Sequence, residues 1–125
     1  MKKLLFFLFI ILSLSCNDKE KKIIDNVKSK KSLHIQNNGE KIFNGSCASC
    51  HLYGTGGSIV LGDKEKWNKI ISSQRIDKIY QNVINGYVTK SGIMPSRGGC
   101  MNCSDNDLID AVNYIFLFNS IPIDN

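Results

Sequence analysis

The chain has 125 residues, a formal net charge of +5, and 42% hydrophobic against 22% charged residues. Its length allows one small domain, and this composition excludes a disordered chain. The excess of positive charge lies before His34, since basic and acidic residues balance from there to the C-terminus. A basic, nucleic-acid-binding face is therefore excluded.

The first 15 residues have the layout of a secretory signal peptide. Two lysines precede an apolar run over residues 4–12, which is too short to span a bilayer, since a spanning helix needs about 20 apolar residues. Cys16 follows where this run ends, and the arrangement resembles a bacterial lipobox, although Ser13 stands where an aliphatic residue is usual. We predict a signal peptide over residues 1–15 and a lipid anchor on Cys16. The alternative is a plain signal peptide with an incidental cysteine.

Residues 16–36 are rich in lysine and poor in apolar side chains. We predict that they form a polar tether between the membrane and the folded domain. Their lysines can also contact anionic lipid, at about 1 kcal/mol each, although a solvated spacer is the simpler interpretation. Both interpretations of Cys16 export the protein to an oxidising compartment, either the periplasm or the outer face of a bacterial membrane. The domain is predicted to span residues 37–121, with residues 122–125 as a C-terminal tail.

Besides Cys16, the chain has two Cys-x-x-Cys pairs, Cys47 with Cys50 and Cys100 with Cys103. His51 directly follows the first pair, and Cys-x-x-Cys-His is the attachment signal of a c-type haem. The two thiols add to the vinyl groups on one edge of the porphyrin, and a helical turn then lets the histidine present a ring nitrogen to the iron. We therefore predict one covalent haem c on Cys47 and Cys50, with His51 as an axial iron ligand.

A thioredoxin-like redox motif and a zinc ribbon are alternative interpretations of these cysteines. The redox motif needs a βαβ context, and no alternating Val/Ile-rich strand precedes Cys47. A zinc ribbon needs its two pairs about 15–20 residues apart. Cys50 and Cys100 are much farther apart, and a ribbon leaves His51 without a role.

A low-spin electron carrier needs a second axial ligand, and Met94 is the best candidate. It lies in a glycine-rich loop next to Pro95, which restricts the backbone and helps the loop to hold one shape. Met1 is in the leader, His34 is near the tether, and Met101 is confined between two cysteines. The alternative role for Met94 is to fill a gap in the core.

The pattern of apolar residues predicts helices and no convincing strand. Ser104, with Asp107 three residues later, has the spacing of a capping box, and the apolar residues after it recur every three or four positions. This predicts an amphipathic helix that ends near Asn119. Further helices are predicted over residues 38–47, 64–73 and 76–84.

These motifs resemble the class I c-type cytochromes, and in particular the subgroup called cytochrome c-five. The resemblance covers residues 37–118 and rests on the stretches GEKIFN, LGDKEKW and MPSRGGCMNCSD. It implies an all-α class I cytochrome c fold, with four or five short helices around one covalently bound haem. It also implies a disulfide between Cys100 and Cys103, the most specific element of the subgroup. Ser96 departs from the family, which often has a second proline there.

The resemblance implies further structural roles. In class I cytochromes the first and last helices cross at a glycine–aromatic contact, for which Gly39, Phe43 and either Tyr114 or Ile115 are the candidates. Trp67 lies near a haem propionate in the family, where its indole N–H can donate; core packing is its alternative role.

Arg97 and three tyrosines are assigned roles mainly from their own residue types. Arg97 is a second candidate for a propionate contact, with a solvated loop position as its alternative. Tyr53, Tyr80 and Tyr87 are expected to line the core or the haem pocket.

The predicted function is one-electron transfer in an exported, membrane-tethered respiratory chain, not enzymatic catalysis. His51 and Met94 keep the iron six-coordinate, and a thioether ligand raises the reduction potential. The expected partners are redox proteins, namely a quinol-oxidising complex and a terminal oxidase or reductase, with the cytochrome itself monomeric or weakly dimeric. Two alternatives remain: a haem-based gas sensor or peroxidase-like enzyme with a labile sixth ligand, and a haem subunit of a larger oxidoreductase complex.

Overall fold

The computed structural model describes residues 17–123, and the predicted signal peptide and Cys16 lie outside them. The chain divides into two compact units, with the boundary between Leu33 and His34. The described part of the first unit is formed by helix α1 (Asn17–His34), and its side chains from Lys19 onward are exposed. The predicted tether is therefore helical. Within residues 17–123, no helix is both long enough and apolar enough to cross a membrane.

The second unit is built mainly from helices. Residues 35–51 are helical throughout and alternate between two helix types: π-helical Ile35–Gly39, α2 (Glu40–Ile42), π-helical Phe43–Cys47 and α3 (Ala48–His51). After a loop come α4 (Lys64–Ser73) and α5 (Ile76–Asn85), and the chain ends in α6 (Asp105–Phe118). The all-α prediction is confirmed, and the helices predicted over residues 64–73, over 76–84 and after Ser104 agree with α4, α5 and α6 to within a residue or two. The helix predicted over residues 38–47 is part of a longer helical run that begins at Asn17 and ends at His51.

The helix starts follow from local chemistry. Asp63 caps α4 by accepting a hydrogen bond from the Lys66 backbone N–H at 3.1 Å. The capping box predicted for α6 is present: the Ser104 hydroxyl accepts from the Asp107 N–H, and the Asp107 carboxylate accepts from the Ser104 N–H. Such caps satisfy backbone donors that the first helical turn leaves unpaired.

The expectation of no strand was wrong in one place. The two-residue strands β1 (Tyr87–Val88) and β2 (Ile93–Met94) pair antiparallel, with Tyr87 opposite Met94 and Val88 opposite Ile93. Thr89 closes the turn between them, because its hydroxyl accepts from the N–H groups of two residues in the turn. Strands this short show no period in the sequence. The hairpin is nevertheless important, because it carries Met94.

The core of this unit lies where residues 35–51 cross α6. Gly39 lies against the Asp110 backbone and the Tyr114 side chain, so closely that a Cβ on Gly39 would lie 2.8 Å from the Tyr114 Cβ. The rings of Phe43 and Tyr114 are 5.6 Å apart, and Phe43 is fully buried together with Phe116. The predicted glycine–aromatic crossing is thus confirmed, with Tyr114 as the partner.

Polar contacts reinforce this crossing. The Asn38 side-chain amide donates to the carboxylates of Asp107, at 3.1 Å, and of Asp110, at 2.8 Å. The bonds from Asn38 and then from Ser104 hold the pKa of Asp107 below its usual range, because they stabilise the charged carboxylate. The two ends of the unit are therefore joined by both packing and hydrogen bonds.

Candidate haem site

The Cys-x-x-Cys-His motif lies at the end of the helical segment 35–51 and borders two cavities. The larger cavity has a volume of about 290 Å³ and the smaller about 120 Å³. Both are lined by His51 and Met94, and the smaller is also lined by Cys47 and Cys50. The four side chains that the sequence predicts as thioether and iron ligands are therefore brought together, although Cys50 and Met94 are far apart in sequence.

The His51 ring is held in an orientation that leaves one nitrogen available. Its Nδ1 lies 2.8 Å from the carbonyl oxygen of Ile59. Because a carbonyl only accepts, Nδ1 must carry the proton, and Nε2 then keeps a free lone pair in the neutral ring. Fixing the far nitrogen of a histidine in this way is the usual means of orienting it toward a metal.

Cys47 and Cys50 are free thiols. Burial, together with the nearby Cys50, raises the pKa of the Cys47 thiol to about 11. The thiol is therefore protonated at neutral pH, whereas the nucleophilic cysteine of a redox Cys-x-x-Cys motif has a lowered pKa. This electrostatic environment does not fit the thioredoxin-like alternative.

Met94 lies close to the attachment cysteines and lines both cavities. A Cβ placed on Gly98 would lie 3.9 Å from the Met94 Cε and 4.0 Å from the Cys47 Sγ, so both side chains lie close to Gly98. Gly98 has a φ of +58°, which a glycine adopts without steric cost. The loop 95–99 thus brings the thioether of Met94 near the attachment cysteines.

Two further glycines close the cavity wall. A Cβ on Gly57 would collide with the Ser91 carbonyl, and a Cβ on Gly92 would collide with the Gly56 carbonyl. The loop after α3 and the turn of the β1–β2 hairpin therefore meet backbone to backbone. Side chains at either glycine would separate these two walls.

The second cysteine pair is already bonded. Cys100 and Cys103 form a disulfide, which confirms that prediction. They cannot therefore join Cys47 and Cys50 as zinc ligands. Over residues 17–123, no group of three or more His, Cys, Asp or Glu side chains is arranged to hold a metal ion. The zinc-ribbon alternative has no support in this arrangement.

The two candidate propionate contacts both have partners within the protein. Trp67 is buried, and its Nε1 donates to the Val60 carbonyl at 2.8 Å. The indole has a single N–H, so a propionate would have to replace that carbonyl. Arg97 donates to the Cys103 carbonyl and pairs with Asp105 at 2.8 Å. A propionate contact by either residue stays a prediction.

The three tyrosines differ in their surroundings. Tyr87 lines the larger cavity, and the Tyr80 hydroxyl donates to the Asn113 side chain at 2.8 Å. Tyr53 is 79% exposed, so its predicted lining role was wrong.

Asn82 on α5 is a cavity residue that the sequence interpretation missed. It is buried, lines the larger cavity, and its amide nitrogen lies 3.4 Å from the side-chain oxygen of Gln74. Its spacing of three residues from the buried Ile79 was the available signal, because a polar residue on the inner face of a helix needs a polar partner.

The residues present fit a covalently attached haem. The cavities offer mainly apolar walls, two free thiols, an imidazole with a free nitrogen and a thioether. This donor set matches the Met/His ligation of c-type cytochromes and the vinyl chemistry of their attachment motif.

Comparison with known proteins identifies the family. A family model described as cytochrome c oxidase, cbb3-type, subunit III matches residues 35–115, which is well over half of the chain. The chain belongs to the class I c-type cytochromes. Members of this family bind covalently attached haem c with iron, and they are electron carriers that act with redox partners, not enzymes.

Curated relatives of this cytochrome include several small carriers. Cytochrome c-555 of Chlorobaculum tepidum is 34% identical, over 62% of this chain and 70% of the relative. Cytochrome c6 of Porphyra purpurea is 36% identical, over 62% and 66% of the two chains. Cytochrome c5 of Ectopseudomonas mendocina is 36% identical, over 53% and 72%. Cytochromes of these three kinds are generally exported.

Proposed function

We propose that this cytochrome carries single electrons in an exported, membrane-tethered respiratory chain. Cys47 and Cys50 hold the haem, and His51 and Met94 provide the two axial ligands. The observation that carries this proposal is that all four side chains line the smaller cavity, and that His51 and Met94 also line the larger one. When bound, haem c supplies the one-electron exchange between ferrous and ferric iron.

The chain's own residues adapt the site to this role. The Ile59 carbonyl holds the His51 ring in one tautomer, so its Nε2 is available without rearrangement. The Met94 thioether favours the reduced state and therefore a high reduction potential. Trp67 packs with its ring centre 5.7 Å from that of His51 and helps to exclude water from this side of the cavity.

Optical spectroscopy of the purified protein tests this proposal directly. Oxidised and reduced spectra, recorded with and without carbon monoxide, are expected to show one covalent, low-spin haem that carbon monoxide does not change. A protein without covalent haem contradicts the attachment site. Ready binding of carbon monoxide contradicts ligation by Met94 and favours a sensor or enzyme.

The proposed location depends on residues before the folded domain. We propose that residues 1–15 are removed as a signal peptide and that Cys16 is then lipidated. Residues 16–36 tether the domain, residues 37–121, to a bacterial membrane, so that the domain faces the periplasm or the exterior. Residues 122–125 are the C-terminal tail. The lysine-rich helix α1 supports a tether, because its side chains over residues 19–34 are all exposed.

Lipidation can be tested with two variants. Cys16→Ser is expected to abolish fatty-acid labelling and to move the protein from the membrane to the soluble fraction. Ser13→Leu restores the usual aliphatic residue and serves as the matched control, since it should keep or increase labelling. Membrane retention of an unlabelled Cys16→Ser variant would contradict the lipid anchor.

The proposed partners are a quinol-oxidising complex and a terminal oxidase or reductase, with the cytochrome itself monomeric or weakly dimeric. Because basic and acidic residues balance from His34 onward, docking is expected to depend only weakly on salt. Electron-transfer rates measured against ionic strength check this, and a steep fall with added salt would contradict it.

A haem subunit of a larger oxidoreductase complex is the second candidate. It is favoured by the description of the matching family model, which names a subunit of an oxidase. Blue native electrophoresis of solubilised membranes separates the two cases. A free carrier migrates alone, and a subunit migrates with its complex.

A further inference from the structure

We infer that Arg97 is a positioning residue that fastens the Met94 loop to the start of α6 and so keeps the methionine on the sixth iron position. This inference rests on the proposed function, because it assumes that Met94 is the axial ligand. It gives Arg97 a role different from the propionate contact that the sequence suggested.

The Arg97 guanidinium joins the loop to the segment that follows it. Its Nη1 pairs with the Asp105 carboxylate at 2.8 Å, and its Nη2 donates to the Cys103 carbonyl. One partner is in the first turn of α6, and the other ends the disulfide turn. A planar guanidinium is suited to such a bridge, because it directs several N–H groups at once in fixed directions.

Burial distinguishes this ion pair from an ordinary surface pair. The Arg97 side chain is 21% exposed, whereas the Arg75 side chain, which pairs with Asp77, is 87% exposed. A screened pair like that of Arg75 contributes little. The Asp105 side chain is 60% exposed, so the distinguishing feature lies on the arginine side. The Arg97 side chain is partly buried, and its loss leaves the Cys103 carbonyl without this donor.

The backbone of Arg97 supports the same interpretation. Its φ is +58°, in the left-handed region that residues with a Cβ rarely adopt, and Gly98 and Gly99 beside it also have positive φ. A glycine would adopt this conformation without strain. The side-chain contacts of Arg97 offset this cost, which indicates that the contacts hold the loop.

The loop has only a few other ties within the described structure. Ser96 donates to the Ile84 carbonyl at 2.9 Å, which attaches the loop to the end of α5. Gly98 donates to the Pro95 carbonyl, which is a bond within the loop itself. On the other side, the Arg97 carbonyl accepts from the Cys100 N–H at 3.0 Å, a backbone bond to the disulfide turn. Removing the Arg97 side chain would therefore leave the loop without a side-chain contact to α6, and Met94, directly before the loop, would be less firmly held at the iron.

The test compares four variants of the haem-loaded protein by carbon monoxide binding to the reduced form. The second readout is the weak near-infrared band of the methionine–iron bond in the oxidised form. Arg97→Ala removes the guanidinium, and Arg97→Gly removes it while also relieving the backbone strain. Arg97→Lys keeps the positive charge but cannot bond Asp105 and Cys103 with a planar guanidinium. Arg75→Ala is the matched control at an exposed ion pair.

Arg97→Ala is expected to raise the open fraction of the sixth position about tenfold, so that carbon monoxide binds where the parent excludes it, because losing both bonds shifts the loop toward open conformations. Arg97→Gly is expected to behave like Arg97→Ala, with Arg97→Lys between them and the parent. Arg75→Ala is expected to match the parent in both readouts. If Arg97→Ala does not fold, Asp105→Asn weakens the same contact and is expected to raise binding by a smaller factor.

Three results would overturn the inference. The first is no difference from the parent, in either readout, for both Arg97→Ala and Asp105→Asn. The second is an Arg97→Gly variant that stays closed while Arg97→Ala opens, which would point to backbone strain. Equal opening by Arg75→Ala would show a general charge effect. A parent protein that itself binds carbon monoxide freely would instead contradict the proposed function, so the two failures are distinguishable.

Discussion

Replacing Met94 by alanine is expected to open the sixth iron position and to lower the reduction potential. Met94 lines both cavities together with His51, and no other methionine of the described residues lines either of them. The loss of its thioether removes the ligand that favours ferrous iron. The potential is expected to fall by roughly 0.1–0.2 V, a fraction of the ~0.8 V range that axial ligands set.

Carbon monoxide binding and redox titration measure this effect, and Met101→Ala is the matched control. Met101 lies in the disulfide turn and is 73% exposed, so its truncation should leave both the spectrum and the potential unchanged. A Met94→Ala protein that still excludes carbon monoxide would mean that another residue occupies the sixth position. An effect of Met101→Ala equal to that of Met94→Ala would contradict the choice between the two methionines.

The second large effect is expected from Gly39→Ala. The added Cβ would collide with the Asp110 backbone and come within 2.8 Å of the Tyr114 Cβ, so the two crossing segments must separate. Overpacking of this kind costs about 3 kcal/mol of the free energy of unfolding. For a domain of this size the melting temperature should fall by about 15 °C. Thermal unfolding followed by circular dichroism checks this.

Gly45→Ala is the matched control for this substitution. Gly45 lies in the same helical segment, and nothing lies within 4 Å of a Cβ placed on it. Alanine is better than glycine inside a helix by roughly 0.5–1 kcal/mol, so this variant should be slightly more stable than the parent. Equal destabilisation by both variants would show that the effect reflects helix chemistry in general and not the crossing.

Much of the fold was predictable because its signals are local. The capping box of α6 lies within four residues, and the apolar period after it marks the buried face of that helix. The Gly39 crossing was predictable only through the resemblance to class I cytochromes. The β1–β2 hairpin was missed, because two residues per strand leave no pattern, and its pairing depends on the loops that it meets.

The haem site also has one part that the sequence predicts and one part that it does not. Cys47, Cys50 and His51 follow from one short motif, since haem attachment requires these residue types at this spacing. The partner of the His51 Nδ1 is a backbone carbonyl, that of Ile59, and any residue type has such a carbonyl. No sequence pattern could therefore have identified it.

The sequence by itself determined the family, the haem chemistry and the helical class, because covalent attachment, capping and helical period all depend on residues close together in the chain. The tertiary structure alone decided which groups meet across it. It brought Met94 to the cavity of His51 and directed Arg97 to Cys103 and Asp105. It also placed the Val60 carbonyl where it accepts the hydrogen bond from the Trp67 indole N–H. These contacts depend on how the loops pack, and packing is set by the whole chain and not by any one segment.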